Sequence, residues 1–308
     1  CTRVPDLNKP SVTQKVFSLA SNHSNFRKTP QRNRLISALS KTNKNKLTSK
    51  EIVSISGVSA AVIATAASNG LLNEELIPRD RPYPALNPDF KPKRLNPNQI
   101  SVCETIRDLQ KQNSFSAILL QGVTGSGKTE VYLEAVADAL RKGEQILVLL
   151  PEIALTSEFF DRVKKRFGEN PAEWHSGVTL AERRRVWKMV ASGGAKLVIG
   201  ARSALFLPFM NLGLVIVDEE HDHSYKQEDG VIYNARDMAV LRASIEMSTV
   251  ILASATPSLE SWVNAKNGKY KHVQIHERYG EATLPNLSAI DLRKENLKSD
   301  EWISNRLE

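Results

Sequence analysis

Eight consecutive residues, Gly122-Val123-Thr124-Gly125-Ser126-Gly127-Lys128-Thr129, limit what this chain can fold into more than any other stretch. They match G-x-x-x-x-G-K-[ST] at every position. In that pattern glycines let backbone N–H groups curl around phosphate oxygens. The lysine reaches the β- and γ-phosphates, and the Ser/Thr hydroxyl oxygen goes to Mg²⁺. Such a loop needs a buried strand before it and a helix after it. The apolar run Ala117–Leu120 precedes it, and Glu130–Arg141 follows with helical spacing. The pattern implies a site for ATP and Mg²⁺, with Lys128 as a catalytic group and Thr129 as a magnesium ligand.

Further apolar runs lie at Ile146–Leu150, Lys196–Ile199, Leu214–Val217 and Val250–Ala253. They are continuous Ile/Leu/Val stretches rather than alternating ones, as expected of parallel strands buried on both faces. Helical segments such as Glu158–Phe167 fall between them and complete βαβ units. The fold class expected is α/β, a RecA-like P-loop lobe with helices on both faces of a parallel sheet, preceded by a small winged-helix domain.

The N-terminal third has a different character. Residues 1–30 read as irregular, rich in Asn, Ser, Pro and Lys. A helical pattern begins at Pro30. Thr48 with Glu51 forms a potential capping box for a second helix that stops at Gly57, and Ser59 precedes a third. Leu71–Ile77 then reads as a strand, so 31–80 is expected to be a winged-helix domain. Six prolines between residues 78 and 98 mark 81–98 as a linker. Residues 99–270 are expected to form the nucleotide-binding lobe, and 271–308 the truncated start of a second one.

Charge follows the same division. Residues 1–95 hold 16 Lys+Arg against 6 Asp+Glu, and the remainder 26 against 28, so the net +8 originates in the N-terminal third. That imbalance suits an anionic partner such as DNA, although the Ala- and Val-rich third helix lacks side chains that read bases. Two cysteines, Cys1 and Cys103, are too few for a disulfide framework or a Cys₄ zinc site. No apolar run approaches the roughly 20 residues that span a bilayer, and no leader is evident. A cytoplasmic protein without a membrane partner is expected, and a start at Cys1 rather than Met hints at a cut piece.

Asp218-Glu219-Glu220-His221 follows the run Leu214–Val217. A carboxylate at the C-terminal end of such a strand lies where open α/β sheets bind ligands. Asp218 is placed to hold Mg²⁺, and Glu219 to orient and activate a water molecule. Ser254-Ala255-Thr256, after the next strand, offers hydroxyls that could relay the state of the nucleotide site.

GxxxxGKT, DEEH and SAT, in that order, resemble the first motor lobe of superfamily 2 helicases. The stretches GVTGSGKTEVYLEAV, LVLLPEIALT, GARSALF, VIVDEEHDHSYKQEDG and ILASATPSLES resemble more closely still the primosomal protein N′ family of bacterial replication-restart DEEH helicases. The resemblance covers roughly residues 30–290 and implies an ATP-dependent 3′–5′ DNA helicase acting at stalled forks. Its implied partners are forked DNA, primosome proteins and single-stranded DNA-binding protein. It assigns Gln99 to adenine, and Arg202 and Ser203 to the DNA backbone. It also assigns His221, Tyr225, Lys226 and Arg236 to an aromatic-rich loop that couples DNA binding to hydrolysis. The family's zinc-binding cysteines and the transition-state arginine belong to later regions, and the domain that grips a 3′ end belongs to an earlier one. The chain is therefore expected to bind ATP or ADP, to hydrolyse ATP poorly, to unwind nothing and to hold no zinc. Two rival readings are another superfamily 2 translocase, of the branch-migration type, and a DNA-binding scaffold with a vestigial ATPase.

Overall fold

The computed structural model describes residues 13–21, 29–40, 42, 46–78, 82–112, 114–276 and 290. The first unit runs β1 (Thr13–Leu19), α1 (Pro30–Ser40), β2 (Leu47–Thr48), α2 (Ser49–Ser56), α3 (Ala60–Ser68) and β3 (Leu72–Pro78). The Thr48 capping box is formed: its side chain accepts from the Glu51 N–H, and the Glu51 carboxylate accepts from the Thr48 N–H at 2.8 Å. Gly57 ends α2 in the left-handed region at φ +67°. Leu35, Ile52, Ile63 and Leu71 are buried between the helices and an antiparallel sheet of order β2-β1-β3.

Strand β1 corrects the reading of residues 1–30 as irregular. It pairs with β3 along its whole length, Thr13 opposite Pro78 and Leu19 opposite Leu72. Only Val16 and Phe17 carry its burial, so by itself the segment has too little alternation to announce a strand. Its identity comes from a partner far along the chain.

The second unit contains α4 (Pro97–Lys111), β4 (Ser116–Gly122), α5 (Lys128–Arg141), β5 (Gln145–Leu149), α6 (Ser157–Phe167), β6 (Ala172–Trp174), α7 (Leu180–Ala191) and β7 (Leu197–Gly200). It continues with β8 (Leu212–Asp218), the short β9 (Lys226–Gln227) and β10 (Tyr233–Asn234), α8 (Ala235–Ile245), β11 (Thr249–Ser254), α9 (Leu259–Lys266) and β12 (Lys271–Ile275). Seven parallel strands form one sheet in the order β12-β4-β11-β8-β5-β7-β6. Alternate residues of each central strand enter opposite cores. Ile118, Ile146, Ile216 and Ile251 pack under α4, α5 and α6, whereas Leu119, Leu147, Val215 and Leu252 pack under α7 and α8. Burial on both faces is why the strands read as unbroken apolar runs.

Two further corrections concern the edges. β12 was expected to begin a second lobe, but it pairs with β4 from Lys271 opposite Ile118 to Ile275 opposite Gly122 and so closes this sheet. Its sequence, KHVQI, is half polar because an edge strand buries fewer residues. Of the strand expected at Leu287–Leu292 only Ile290 is among the described residues. The proline-rich segment, read as a linker, is strapped to the sheet unit where it is described. Asn87 N–H donates to the Phe167 carbonyl at 2.9 Å, Arg166 donates to the Pro88 carbonyl at 2.7 Å, and Arg141 pairs with Asp89 at 2.6 Å.

Among the described residues no single helix is long and apolar enough to cross a membrane. Cys103 is buried beneath α5, and that burial pushes its thiol up to about 12. A thiol that stays protonated and covered is a poor nucleophile. Iodoacetamide at pH 8 should therefore leave Cys103 unmodified in the native chain and alkylate it after denaturation. Peptide mapping that finds native-state labelling at Cys103 would contradict this packing.

Candidate active site

The phosphate loop spans the end of β4 and the start of α5. Gly125 and Gly127 have φ of +79° and +84°, where side chains with a Cβ are strained. At Gly127 a Cβ would also collide with the Gln99 amide. The loop therefore needs its glycines for two separate reasons, backbone twist and close approach. Lys128 is buried, and its Nζ donates to the Gly122 carbonyl at 2.8 Å, so the ammonium sits inside the curl of the loop. The first N–H groups of α5 lie beside it, and they present the positive end of the helix dipole.

Gln99 holds this loop from behind. It is fully buried, at 0% exposure. Its Oε1 accepts the Asn96 N–H at 2.9 Å as half of a capping box for α4, and its Nε2 donates to the Ser126 carbonyl at 2.9 Å. The expected adenine contact is therefore not what this side chain makes here. Both ends of the amide are engaged with backbone, which makes Gln99 a positioning residue for the loop.

The acidic residues arrive from β8. β11 lies between β4 and β8, so the two halves of the site stand at alternate strands rather than adjacent ones. They nevertheless line one cleft of about 360 Å³: Thr124, Gly125, Gly127, Lys128 and Thr129 from the loop, with Asp218 and Glu219 opposite. Tyr132, on the same face of α5 one turn after Lys128, donates its hydroxyl to Asp218 Oδ2 at 2.8 Å. The Glu219 N–H donates to Asp218 Oδ1 at 3.0 Å. Burial pushes the Asp218 carboxyl above the usual carboxylate range, against the Tyr132 hydrogen bond, and the Glu219 charge adds to the rise. A buried carboxylate with a second acid beside it favours a cation. Among the described residues no group of three or more His, Cys, Asp or Glu is arranged to hold a metal. One hydroxyl and one carboxylate, Thr129 and Asp218, suit an ion that keeps waters and takes the rest of its oxygens from phosphate.

Behind the cleft lies a set of contacts that sequence reasoning missed. Glu219 is held at φ +46°, unusual for a residue with a side chain, and this turns the chain back toward β11. Glu220 is 1% exposed and accepts from the Ser258 N–H at 2.7 Å, from Ser258 Oγ at 2.9 Å and from Ser261 Oγ at 2.9 Å. His221 Nδ1 and Ser254 Oγ are hydrogen-bonded at 2.8 Å, which joins the acidic turn directly to the Ser-Ala-Thr segment. The helix that carries Tyr132 was expected, but Tyr132 itself was not singled out. Nor were the partners of Glu220, because Ser258 and Ser261 resemble ordinary cap residues.

The residues assigned to the DNA side separate into two groups. Tyr225 is 1% exposed, with its hydroxyl 2.6 Å from the Asp218 carbonyl and 3.0 Å from the Leu149 carbonyl. Stacking of Tyr225 on a base is therefore corrected: the ring is core. Arg236 is corrected likewise. It is 6% exposed, donates to Ser258 Oγ at 2.7 Å and to Asp237 at 2.7 Å, and lies 3.5 Å from Glu220. A buried guanidinium with those partners is not offered to phosphate. Arg202, half-buried, donates to the Ser224 and Lys226 carbonyls at 3.1 and 2.8 Å and so fixes the loop. Ser203, exposed, accepts from the Trp174 indole at 3.2 Å. His221 and Lys226 are exposed, with Lys226 paired to Glu228 at 2.9 Å. The aromatic pair that does reach the surface here is Phe206 with Tyr233, edge-to-face at 5.2 Å.

Two outcomes follow from these placements. Gln99→Ala should weaken ATP, GTP and tripolyphosphate by a similar factor, about tenfold, because it removes a buried hydrogen bond to the loop. Equilibrium titration measures this, and a loss confined to ATP would return Gln99 to adenine. Tyr225→Ala should cost about 3–5 kcal/mol of stability, and Tyr225→Phe about 1 kcal/mol, read from denaturant melts. Full stability combined with weakened DNA binding would put the ring back on the surface.

The DEAD/DEAH box helicase model matches residues 96–264, a span that runs from the α4 cap into α9 and takes in the whole loop and both acids. The chain is 46% identical over 221 residues to replication restart protein PriA of Rickettsia felis, covering 70% of this chain and 34% of that protein. To PriA of Bacillus subtilis it is 39% identical over 252 residues, covering 81% and 31%. A structure of RecG bound to a three-way DNA junction aligns with a TM-score of 0.48 and 26% identity, covering 62% of this chain and 25% of that one. The chain spans about a third of the length of the curated relatives it matches. With the phosphate loop and its acids meeting in one cleft inside the matched span, the chain belongs to the DEAD/DEAH box helicase family.

Proposed function

We propose that this chain is the ATP-binding motor lobe, with an attached winged-helix-like unit, of a bacterial 3′–5′ DNA helicase acting at stalled forks in replication restart and primosome assembly. The carrying observation is the single cleft that Lys128, Thr129, Asp218 and Glu219 line together, in a chain whose relatives are named replication restart proteins.

In this reading the loop N–H groups and Lys128 hold the β- and γ-phosphates, and Thr129 with Asp218 would hold Mg²⁺, which when bound would supply neutralisation of charge on the terminal phosphoryl group. Glu219 orients a water molecule on the γ-phosphorus and accepts its proton. The water oxygen bonds to phosphorus as the bond to the β–γ bridging oxygen breaks, and ADP leaves. Tyr132 keeps Asp218 facing the ion, and Gln99 keeps the loop closed around the phosphates. The His221–Ser254 bond joins hydrolysis to the β11 end, from which movement would pass onward.

The DNA reading rests on the basic N-terminal third and on Ser203, His221 and Lys226 at the surface. The winged-helix assignment, the strap at 82–96 as the connection between units, and a cytoplasmic setting with forked DNA, primosome proteins and single-stranded DNA-binding protein as partners belong to the same proposal.

In the full-length protein Lys128→Ala should lower DNA-stimulated ATP turnover by about 100-fold or more, on the scale of removing one charge-stabilising donor. DNA affinity should stay within about twofold. Steady-state phosphate release and fluorescence anisotropy measure the two. Turnover that survived the substitution would remove Lys128 from the site.

A further inference from the structure

Asp218 and Glu219 line the phosphate cleft, and the next residue, Glu220, does not. Its side chain is fully buried behind the turn. Oε1 accepts the Ser258 N–H at 2.7 Å, and Oε2 accepts the Ser258 and Ser261 hydroxyls at 2.9 Å each, with Arg236 Nη1 3.5 Å away. Ser258 is the N-cap of α9, so the carboxylate lies at the positive end of that helix. Ser258 Oγ also accepts from Arg236 Nη1 at 2.7 Å. An acid partnered this fully is stiff, because movement breaks several bonds together. The cost of burying two charges offsets much of their attraction, and an apolar pair of similar volume would pack there as well. Stability is therefore a weak reason for the pair.

Glu219 supplies a better one. Its side chain is 42% exposed, and among the described residues the only group that meets it in a hydrogen bond or ion pair is His221 Nδ1, at 3.6 Å. The direction of that carboxylate therefore comes from the main chain that carries it. The main chain there stands at φ +46°, a left-handed conformation that is strained for a residue with a Cβ. Two clamps flank it. On one side the Asp218 carbonyl accepts from the Tyr225 hydroxyl at 2.6 Å, and the Asp218 carboxylate accepts from the Tyr132 hydroxyl at 2.8 Å. On the other side the Glu220 N–H donates to the Ala253 carbonyl at 3.1 Å, and the Glu220 carboxylate is locked as described. Strain of this kind persists only where the surroundings over-determine it. Loss of either clamp lets Glu219 relax to negative φ, which turns its Cα–Cβ bond away from its present aim.

We infer that Glu220 and Arg236 are positioning residues for the water-orienting acid. Their buried pair, locked onto the start of α9, holds Glu219 in the left-handed conformation that aims its carboxylate into the phosphate cleft. Nucleotide binding does not draw on this aim, because the loop N–H groups, Lys128 and Thr129 are placed by β4 and α5 instead. Only the step that activates water draws on it. Arg236 thereby serves hydrolysis from inside the lobe, and DNA affinity does not depend on it. The inference rests on the hydrolysis reading above and adds the pair that sets its acid.

The test uses the full-length protein, with denaturant melts, ATP titration, DNA anisotropy and DNA-stimulated phosphate release as readouts. The double variant Glu220→Met/Arg236→Met removes both charges together, so no buried charge is left unpaired and the melt should stay close to that of the unmodified protein. Its turnover should fall about 100-fold, the loss expected when a reacting group is displaced by about 1 Å. ATP and DNA affinities should stay within about twofold, since only the chemical step is affected. Ser261→Ala, which leaves the ion pair in place and removes one bond to the carboxylate, should lower turnover about tenfold with the same unchanged affinities. Glu219→Gln should cost about 100-fold in the unmodified protein and less than about threefold when added to the double variant, because the acid is already displaced there. Undiminished turnover in a folded double variant, ATP affinity lost in step with turnover, or a full further loss from the added Glu219→Gln would overturn the inference. Should the double variant fail to fold, undiminished turnover in Ser261→Ala would overturn it equally. Undiminished turnover in Glu219→Gln alone would instead overturn the hydrolysis reading itself.

Discussion

The hydrogen bond from Tyr132 to Asp218, 2.8 Å long, joins the helix that begins in the phosphate loop to the strand that carries the acids. The distance between Lys128 and Asp218 depends on that join, because β11 separates their strands and no main-chain ladder links β4 to β8 directly. Tyr132 is itself fully buried, so its ring is locked by packing on every side and its hydroxyl has one aim. A buried phenol that meets a buried carboxylate also satisfies two groups that would each be costly if left unpaired. The cleft is thus held open at a defined width by the apolar core around it.

A second set of buried polar contacts surrounds the acidic turn. Glu220, Arg236, Ser258 and Ser261 form a network of which Glu220 is the centre. Ion pairs of this sort are weak evidence for stability, since desolvation offsets much of the attraction. Their effect is geometric. The network ties the turn after β8 to the start of α9, while the neighbouring His221–Ser254 bond ties it to the end of β11. Tyr225, packed beneath the turn with its hydroxyl on the Asp218 carbonyl, completes the support. The acids are thus braced by three elements, and a shift of the turn would be felt at each of them.

The strap gives the phosphate loop a connection on its other side. Pro88, Asp89 and Lys93 are bonded respectively to Arg166, Arg141 and Glu130, so the segment follows α5 and α6 instead of crossing open space. Prolines suit such a path, because a chain without free N–H groups at those positions has fewer donors to satisfy and less entropy to lose. Lys93 stands only a few residues before the Asn96 cap of α4, and Gln99 in that cap holds Ser126. Strap, cap and loop are consecutive links behind one cleft.

The phosphate loop, the five central strands, the helices that became α5 and α6 and the acidic strand end were legible in the residues, because each depends on local order: a glycine at positive φ, an apolar run, a carboxylate directly after it. The Thr48 capping box was readable for the same reason. Strands β1 and β12 were not, since each is a half-polar segment whose strand partners lie far away in the chain. Tyr225 and Arg236 have the chemistry of nucleic-acid contacts, but their burial came from neighbours that only the packed chain supplies. Gln99 likewise has an amide able to read adenine, and the fold directs it to Asn96 and Ser126. Residue type and spacing determine what a side chain is able to do. Which partner it meets, and whether solvent reaches it, is decided only when distant segments pack, because burial and hydrogen-bond satisfaction belong to the folded whole.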